Sequence, residues 1–503
     1  MTRSIPPRRR SPRPLARRAL ALLLAVALAA WAPAARAQTD NLPRLGDAGA
    51  EDLSPAAERR LGEAIMRELR RDPAISDDVE INDYLNRLAA TLTGTQAASG
   101  YSFELFLVRD PTLNAFALPG GYIGVHGGLV VAAQTESELA SVISHEMGHV
   151  TQRHIARMLA EQRVSSLGML AALVLAALAA RSSPQGAVGI ATMAAGAQQQ
   201  QMLAFSRDAE READRVGIDT LRQADFDPNG MVAFFGRLQQ ASRITESAAP
   251  AYMRSHPLTA ERIGDMQARV KEGRYRQRPD SVEFRLARAK LQALSSPTVD
   301  GLRSARAQFE RQLRERTTGD EVATWYGLAV ATLAQRDYTA TERAIAETRA
   351  RLPAGHPFVE RLAAEAKLRA GDAASALSVA EAAAARFAES RALVHLQAEA
   401  MLAMRDFEKA GAYLTDQLAL YRNDPVLWRL LSQAQHGRGK PALAHRAAAE
   451  EYALVGGWLA AIEQLKLAQR SPGLDFYTAS QIDVRIKELQ AEYTREQQDR
   501  ATR

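Results

Sequence analysis

Turn-like sites recur along the second half of the chain at Asp300, Asp337, Asp372, Asp406, Lys440 and Leu474, in steps of 37, 35, 34, 34 and 34 residues. An ordinary helical bundle has no fixed period, so this regularity restricts the region to stacked copies of one short unit. The region is alanine-rich and carries helical rather than strand patterning. Four residues after three of the turns stands a small residue, at Ala376, Ala410 and Ala444. Small side chains there let neighbouring helices approach. Arrays of this kind make concave surfaces for peptides or partner proteins, and none of these residues looks catalytic. Any chemistry has to come from the first half.

That half is patterned differently. Residues 54–71 read as a helix, with Ser54 as N-cap and Pro55 at the first helical position. Residues 101–109 (YSFELFLVR) alternate like a strand. In NAFALPGGYIGVHGG, residues 114–128, Pro119-Gly120-Gly121 separates two apolar arms in a hairpin pattern. The proline and glycines point to an edge strand at Asn114-Ala115-Phe116, which an extended peptide could join through main-chain hydrogen bonds. Thr135-Glu136-Ser137-Glu138 fits a capping box opening a helix expected to run to about Arg163.

Inside that helix lies ISHEMGH, Ile143 to His149. Residues four apart share a helical face, so His145 and His149 can turn two imidazoles to one ion. Glu146 is placed to act as base toward a metal-bound water. Gly148 leaves room beside the helix. His154, five residues past His149, is expected to face elsewhere and to be structural. A third ligand is offered by a helix starting near Arg207: Glu210 can complete a two-His, one-Glu site, and Asp214 can accept a hydrogen bond from a liganding imidazole. Zinc, one ion per chain, is the default metal for nitrogen and oxygen ligands with one open position. His256 stands on Ser255-His256-Pro257, with Arg262 downstream. It either steadies the oxyanion of the reaction or occupies the fourth metal position and switches the site off.

The formal net charge of +6 suggests a polyanion partner, but residues 1–37 carry eight arginines and no acid. The remaining 56 basic residues face 58 acidic ones, so nucleic acid is not an expected partner. The arginines precede an apolar run, Ala19 to Trp31, and an Ala35-Arg36-Ala37 cleavage signature, the marks of a signal peptide cleaved near Ala37. The chain has no cysteine, so it has no disulfides and no thiolate ligands. Residues 164–180 are uncharged, as are residues 182–206. The segment 164–206 is either a buried or partly disordered helical hairpin, or a lid over the site that also contacts membrane.

The 34-residue period, with Trp325, Leu328 and Pro353, resembles tetratricopeptide repeats. HEMGH at 145–149, EREAD at 210–214 and NAFALPGG at 114–121 resemble the zinc metalloproteases of the HtpX and CAAX-prenyl-protease superfamily. With an export signal and a repeat array added, the chain is similar to the BepA type of periplasmic protease. The resemblance implies zinc on His145, His149 and Glu210, with Glu146 catalytic. It implies an α+β, mostly α fold: a zincin-type domain with a small sheet, then an all-α tetratricopeptide solenoid. The expected divisions are a signal peptide at 1–37, a protease domain at 38–275, the array at 280–490 and a polar tail at 491–503. The implied role is quality control of outer-membrane proteins in the periplasm. Clients are unfolded or misassembled precursors, and the array docks on the assembly machinery. The alternative is a chaperone or scaffold with a latent, autoinhibited protease site.

Overall fold

The computed structural model describes residues 54–95, 100–161, 206–244, 251–271 and 278–501. The expected signal peptide, and the uncharged segment apart from Ser206, lie outside the described residues.

Helix α1 (Pro55–Leu69) starts where its cap predicts, with Ser54 Oγ accepting from Ala57 N. Helix α2 (Val79–Thr93) is capped by Asp78. The sheet has three strands, β1 (Glu104–Val108), β2 (Ala115–Leu118) and β3 (Tyr122–His126), in the order β1-β3-β2. β1 runs parallel to β3, and β2 antiparallel with Phe116 opposite Gly124. β2 therefore lies at a sheet edge, as expected. Its hairpin turn places Gly120 and Gly121 at φ 77° and 89°, a region that suits glycine.

Helix α3 (Gly127–Ala132) leads into α4 (Glu136–Thr151), which carries the histidine motif. Thr135 caps α4 by accepting from Glu138 N at 3.2 Å. The Glu138 carboxylate reaches back one residue further than a regular capping box, to Gln134 N at 2.6 Å, and it also pairs with Arg237. The helix does not continue to Arg163. It breaks at Arg153, which adopts φ 54° and pairs with Glu58, and α5 (His154–Glu161) starts afresh. Then come α6 (Arg207–Gln223), capped by Ser206, α7 (Asn229–Ile244), α8 (Ala251–Ser255), α9 (Ala260–Lys271) and α10 (Val282–Ala293).

The repeat half is entirely helical among the described residues: α11 (Val299–Glu315), α12 (Glu321–Ala334), α13 (Tyr338–Arg351), α14 (Pro357–Arg369), α15 (Ala373–Ala384), α16 (Arg391–Ala403), α17 (Phe407–Leu420), α18 (Pro425–Gly437), α19 (Pro441–Leu454), α20 (Trp458–Arg470) and α21 (Phe476–Ala501). The period has a physical cause. At three sites a residue with positive φ (Arg336, Gly371, Arg405) is followed by an aspartate (Asp337, Asp372, Asp406) whose carboxylate caps the next helix. Lys440 keeps the geometry after Gly439 without a side-chain cap, and near Leu474 the cap is Asp475. Asp300 departs from the pattern: it lies in the first turn of α11, capped by Thr298. Ala376 and Ala410 are fully buried between helices, and Ala444 nearly so. The polar tail is the end of α21 as far as Ala501.

One hydrophobic core runs without interruption from the sheet and α4 into the array, through Leu85, Ile143, Phe284, Tyr326 and Phe358. Arg391 of the array pairs with Asp83 of α2 and, within the array, with Asp424; Lys290 of α10 pairs with Asp78 and Glu80 at the start of α2. Among the described residues, no helix is long and apolar enough to cross a membrane.

Candidate metal centre

α4 and α6 cross closely because Gly148 faces Ala213: a Cβ on Gly148 would lie 3.0 Å from the Ala213 Cα and carbonyl oxygen. The room expected beside Gly148 is thus filled by backbone. This approach sets Glu210 and Asp214 against the two histidines of α4. His145 Nε2 and His149 Nε2 are 3.0 Å apart. Glu210 Oε2 lies 3.4 Å from His145 Nε2, and Glu210 Oε1 lies 3.6 Å from His149 Nε2. His256 closes the group, with Nδ1 2.9 Å from Glu210 Oε1 and Nε2 3.5 Å from Glu146 Oε1. One ligand atom from each of His145, His149, Glu210 and His256 falls within 4.8 Å of the others, and all four residues are buried.

His145, Glu210 and His149 are each held from behind. Asp214 Oδ1 lies 2.9 Å from His145 Nδ1, as the sequence suggests. Arg262 grips Asp214 with two hydrogen bonds of 2.8 Å, pairs with Glu210 at 2.7 Å and donates to Pro257 O. Behind His149 stands His154, with its Nδ1 2.8 Å from His149 Nδ1 and its Nε2 3.1 Å from Glu212, which Arg157 also holds. His154 therefore does not face elsewhere. The break at Arg153 turns it back toward the site.

The charges follow this geometry. Burial disfavours a charged His145, but the hydrogen bonds of Asp214 and Glu210 outweigh it and raise the group to about 9. Burial pushes His149 well below its ordinary value, helped by neighbouring imidazoles, and takes His154 down to about 4. Burial would raise Glu210, but the surrounding histidines hold it well below the usual carboxylate range. A buried carboxylate and imidazole nitrogens aimed at one point suit a cation that takes nitrogen and oxygen ligands. Glu146 Oε1 is buried with no hydrogen-bond partner beside them, while Oε2 accepts from Ala117 N at 3.1 Å on β2. The residues fit a catalytic metal.

Residues 76–270 match the model for peptidase family M48. That segment is similar to the M48 metallopeptidases. A Vibrio cholerae protein is 38% identical over 273 residues, 54% of this chain and 56% of that protein. The beta-barrel assembly-enhancing protease of Escherichia coli is 29% identical over 477 residues, 93% of this chain and 95% of its own. A mitochondrial metalloendopeptidase of Schizosaccharomyces pombe is 34% identical over 181 residues, 36% of this chain and 50% of its own.

The structure brings His145, Glu146, His149, Glu210, Asp214 and His256 together, and Glu146 joins them to β2 at Ala117. Asn114 is buried just before β2, with Nδ2 3.5 Å from His126 Nε2 and Oδ1 without a hydrogen-bond partner. Ala115 and Phe116 lie on the edge strand, the Phe116 ring against those of Phe106 and His126. Sequence reasoning missed Glu212, Arg157 and Tyr252. Glu212 sits two residues from both Glu210 and Asp214, a spacing that points away from their helical face.

Proposed function

We propose that the protein is a zinc-dependent endopeptidase of the periplasm that cleaves unfolded or misassembled outer-membrane protein precursors. The observation that carries this reading is the buried His145, His149, Glu210 and His256 group with Glu146 beside it, joined through Ala117 to β2, an edge strand. His145, His149 and Glu210 would hold the ion, one per chain, with Asp214 fixing the His145 ring. Bound zinc would acidify a water and polarise the scissile carbonyl. Glu146 Oε1, left without a hydrogen-bond partner, would accept a proton from the attacking water and pass it to the leaving amine. Asn114, Ala115 and Phe116 align an extended substrate chain beside the site, so shape rather than sequence selects the client.

The export pattern of residues 1–37 supports the location. The name of the Escherichia coli relative supports a role in outer-membrane protein assembly. The working division is a protease portion at 38–275 and an array at 280–490 that docks on the assembly machinery, with peripheral membrane contact through 164–206.

A second reading has its own observation. His256 Nδ1 lies among the ligand atoms, 3.4 Å from His145 Nε2, where it can take the fourth metal position. The protein would then act chiefly as a chaperone or scaffold, with a latent protease.

The test uses residues 38–503, wild type and Glu146→Gln. Zinc near one per chain, with casein cleavage lost in the variant and in chelator, is the expected result. Zinc without cleavage in either protein favours the latent reading. No zinc sinks the assignment of Glu210 as third ligand.

A further inference from the structure

We propose that the hydroxyl of Tyr252 donates a hydrogen bond to the scissile carbonyl oxygen as that oxygen becomes an oxyanion. This rests on the endopeptidase reading above. Tyr252 lies in the short helix α8, four residues before His256. Its main-chain N–H donates to Leu113 O at 3.2 Å, one residue before Asn114. Its ring stacks on His256, with centroids 4.5 Å apart and planes at 21°, and on Phe235 at 5.9 Å and 17°. It also meets the His145 ring at 6.4 Å. The residue is thus pinned twice, its ring by His256, Phe235 and His145 and its main chain by the residue before Asn114.

The side chain is 3% exposed, and its hydroxyl has no hydrogen-bond partner. A buried O–H left unmade destabilises the fold, and phenylalanine would fill the same space without that penalty. The nearby charged donor is already engaged: Arg262 binds Asp214, Glu210 and Pro257 O. His256 has Nδ1 against Glu210 and Nε2 near Glu146. Tyr252 supplies a neutral donor beside these groups. No proton changes hands: the O–H bond is kept, and the hydrogen bond strengthens as charge develops on the carbonyl oxygen.

The experiment compares zinc-loaded wild type and Tyr252→Phe over residues 38–503. It reads kcat and KM on a fluorogenic peptide cut by the wild type, zinc content, thermal midpoint, and affinity for a phosphinic peptide that imitates the tetrahedral oxyanion. The expected result is a kcat lower by about 100-fold with KM within about twofold, at unchanged zinc content. The thermal midpoint is equal or higher, and the phosphinic peptide binds about 100-fold more weakly. Wild-type kcat in the variant overturns the proposal, and so does a fall that tracks lost zinc. If zinc-loaded wild type cleaves nothing, the endopeptidase reading fails, and the phosphinic affinity still decides the role of Tyr252: equal binding by both proteins overturns it.

Discussion

The main-chain N–H of Ala117 donates to Glu146 Oε2 at 3.1 Å, so the glutamate of the histidine motif and the open edge of the sheet are physically joined. An approaching peptide that pairs with β2 therefore arrives beside the group proposed to handle its proton. Glu146 reaches the strand with one oxygen and keeps the other toward the ligand cluster.

Replacing His154 with Ala removes the group behind His149 while leaving His145, His149, Glu210 and His256 in place. The ring of His149 then lacks its support, and zinc affinity should fall by about 10- to 100-fold. Competition against a fluorescent chelator measures it; unchanged affinity would show that the contact does not orient the ligand.

Arg262→Met strands two buried carboxylates, Asp214 and Glu210, that the guanidinium now compensates. The loss should be about 3–5 kcal/mol in chemical denaturation of the metal-free protein. A loss below about 1 kcal/mol would mean that the pairs merely offset their own desolvation.

His356 caps α14 by accepting from Phe358 N on Nδ1, which requires an unprotonated ring nitrogen. Burial, and then the charge of Arg87, lower it from 6.5 to about 4. Because the folded value lies below the unfolded one, the unfolded chain binds the extra proton first. The contribution is complete above pH 6.5 and is lost as pH falls toward 4. His356→Ser keeps a cap without that titration. Its melting temperature should decline less than that of the wild type across this window, and parallel curves would refute the cap argument.

Arg391 spans from α16 to Asp83 on α2 and to Asp424 beside His395. Arg391→Ala should cost about 1–3 kcal/mol and speed amide exchange in α2 and α16 together. A double-mutant cycle with Asp83→Ala isolates the pair, and additivity would show that the two helices are coupled through the apolar core alone.

The parts legible in the sequence are those with local causes. Ser54 and Thr135 mark helix starts because their side chains bond amides three residues ahead. His145 and His149 announce themselves by helical spacing, and the Pro-Gly-Gly turn announces the hairpin. What was hidden depends on tertiary contact. The helix break at Arg153 follows from a pairing with Glu58, 95 residues earlier in the chain, and no local signal specifies it. That break reverses the direction of His154, so a rotation angle computed along an unbroken helix misplaces it. Arg262 carries no motif of its own; its role appears only when α9 packs beside α6. The period of the repeat half shows in the sequence because Asp337, Asp372 and Asp406 cap its helices, whereas its shared core with the sheet rests on long-range contacts that alanine periodicity does not specify.

The close crossing of α4 and α6 has a consequence for the life of the protein in a cell. His149 and Glu210 are about 60 residues apart in the chain, so an ion held by both closes a long loop that the unfolded chain does not close. Such an ion stabilises only the folded form, by an amount that grows with the logarithm of free metal above the dissociation constant. When the supply falls, the chain loses its reaction and its resistance to being digested together. The abundance of the enzyme would then report metal availability in its compartment.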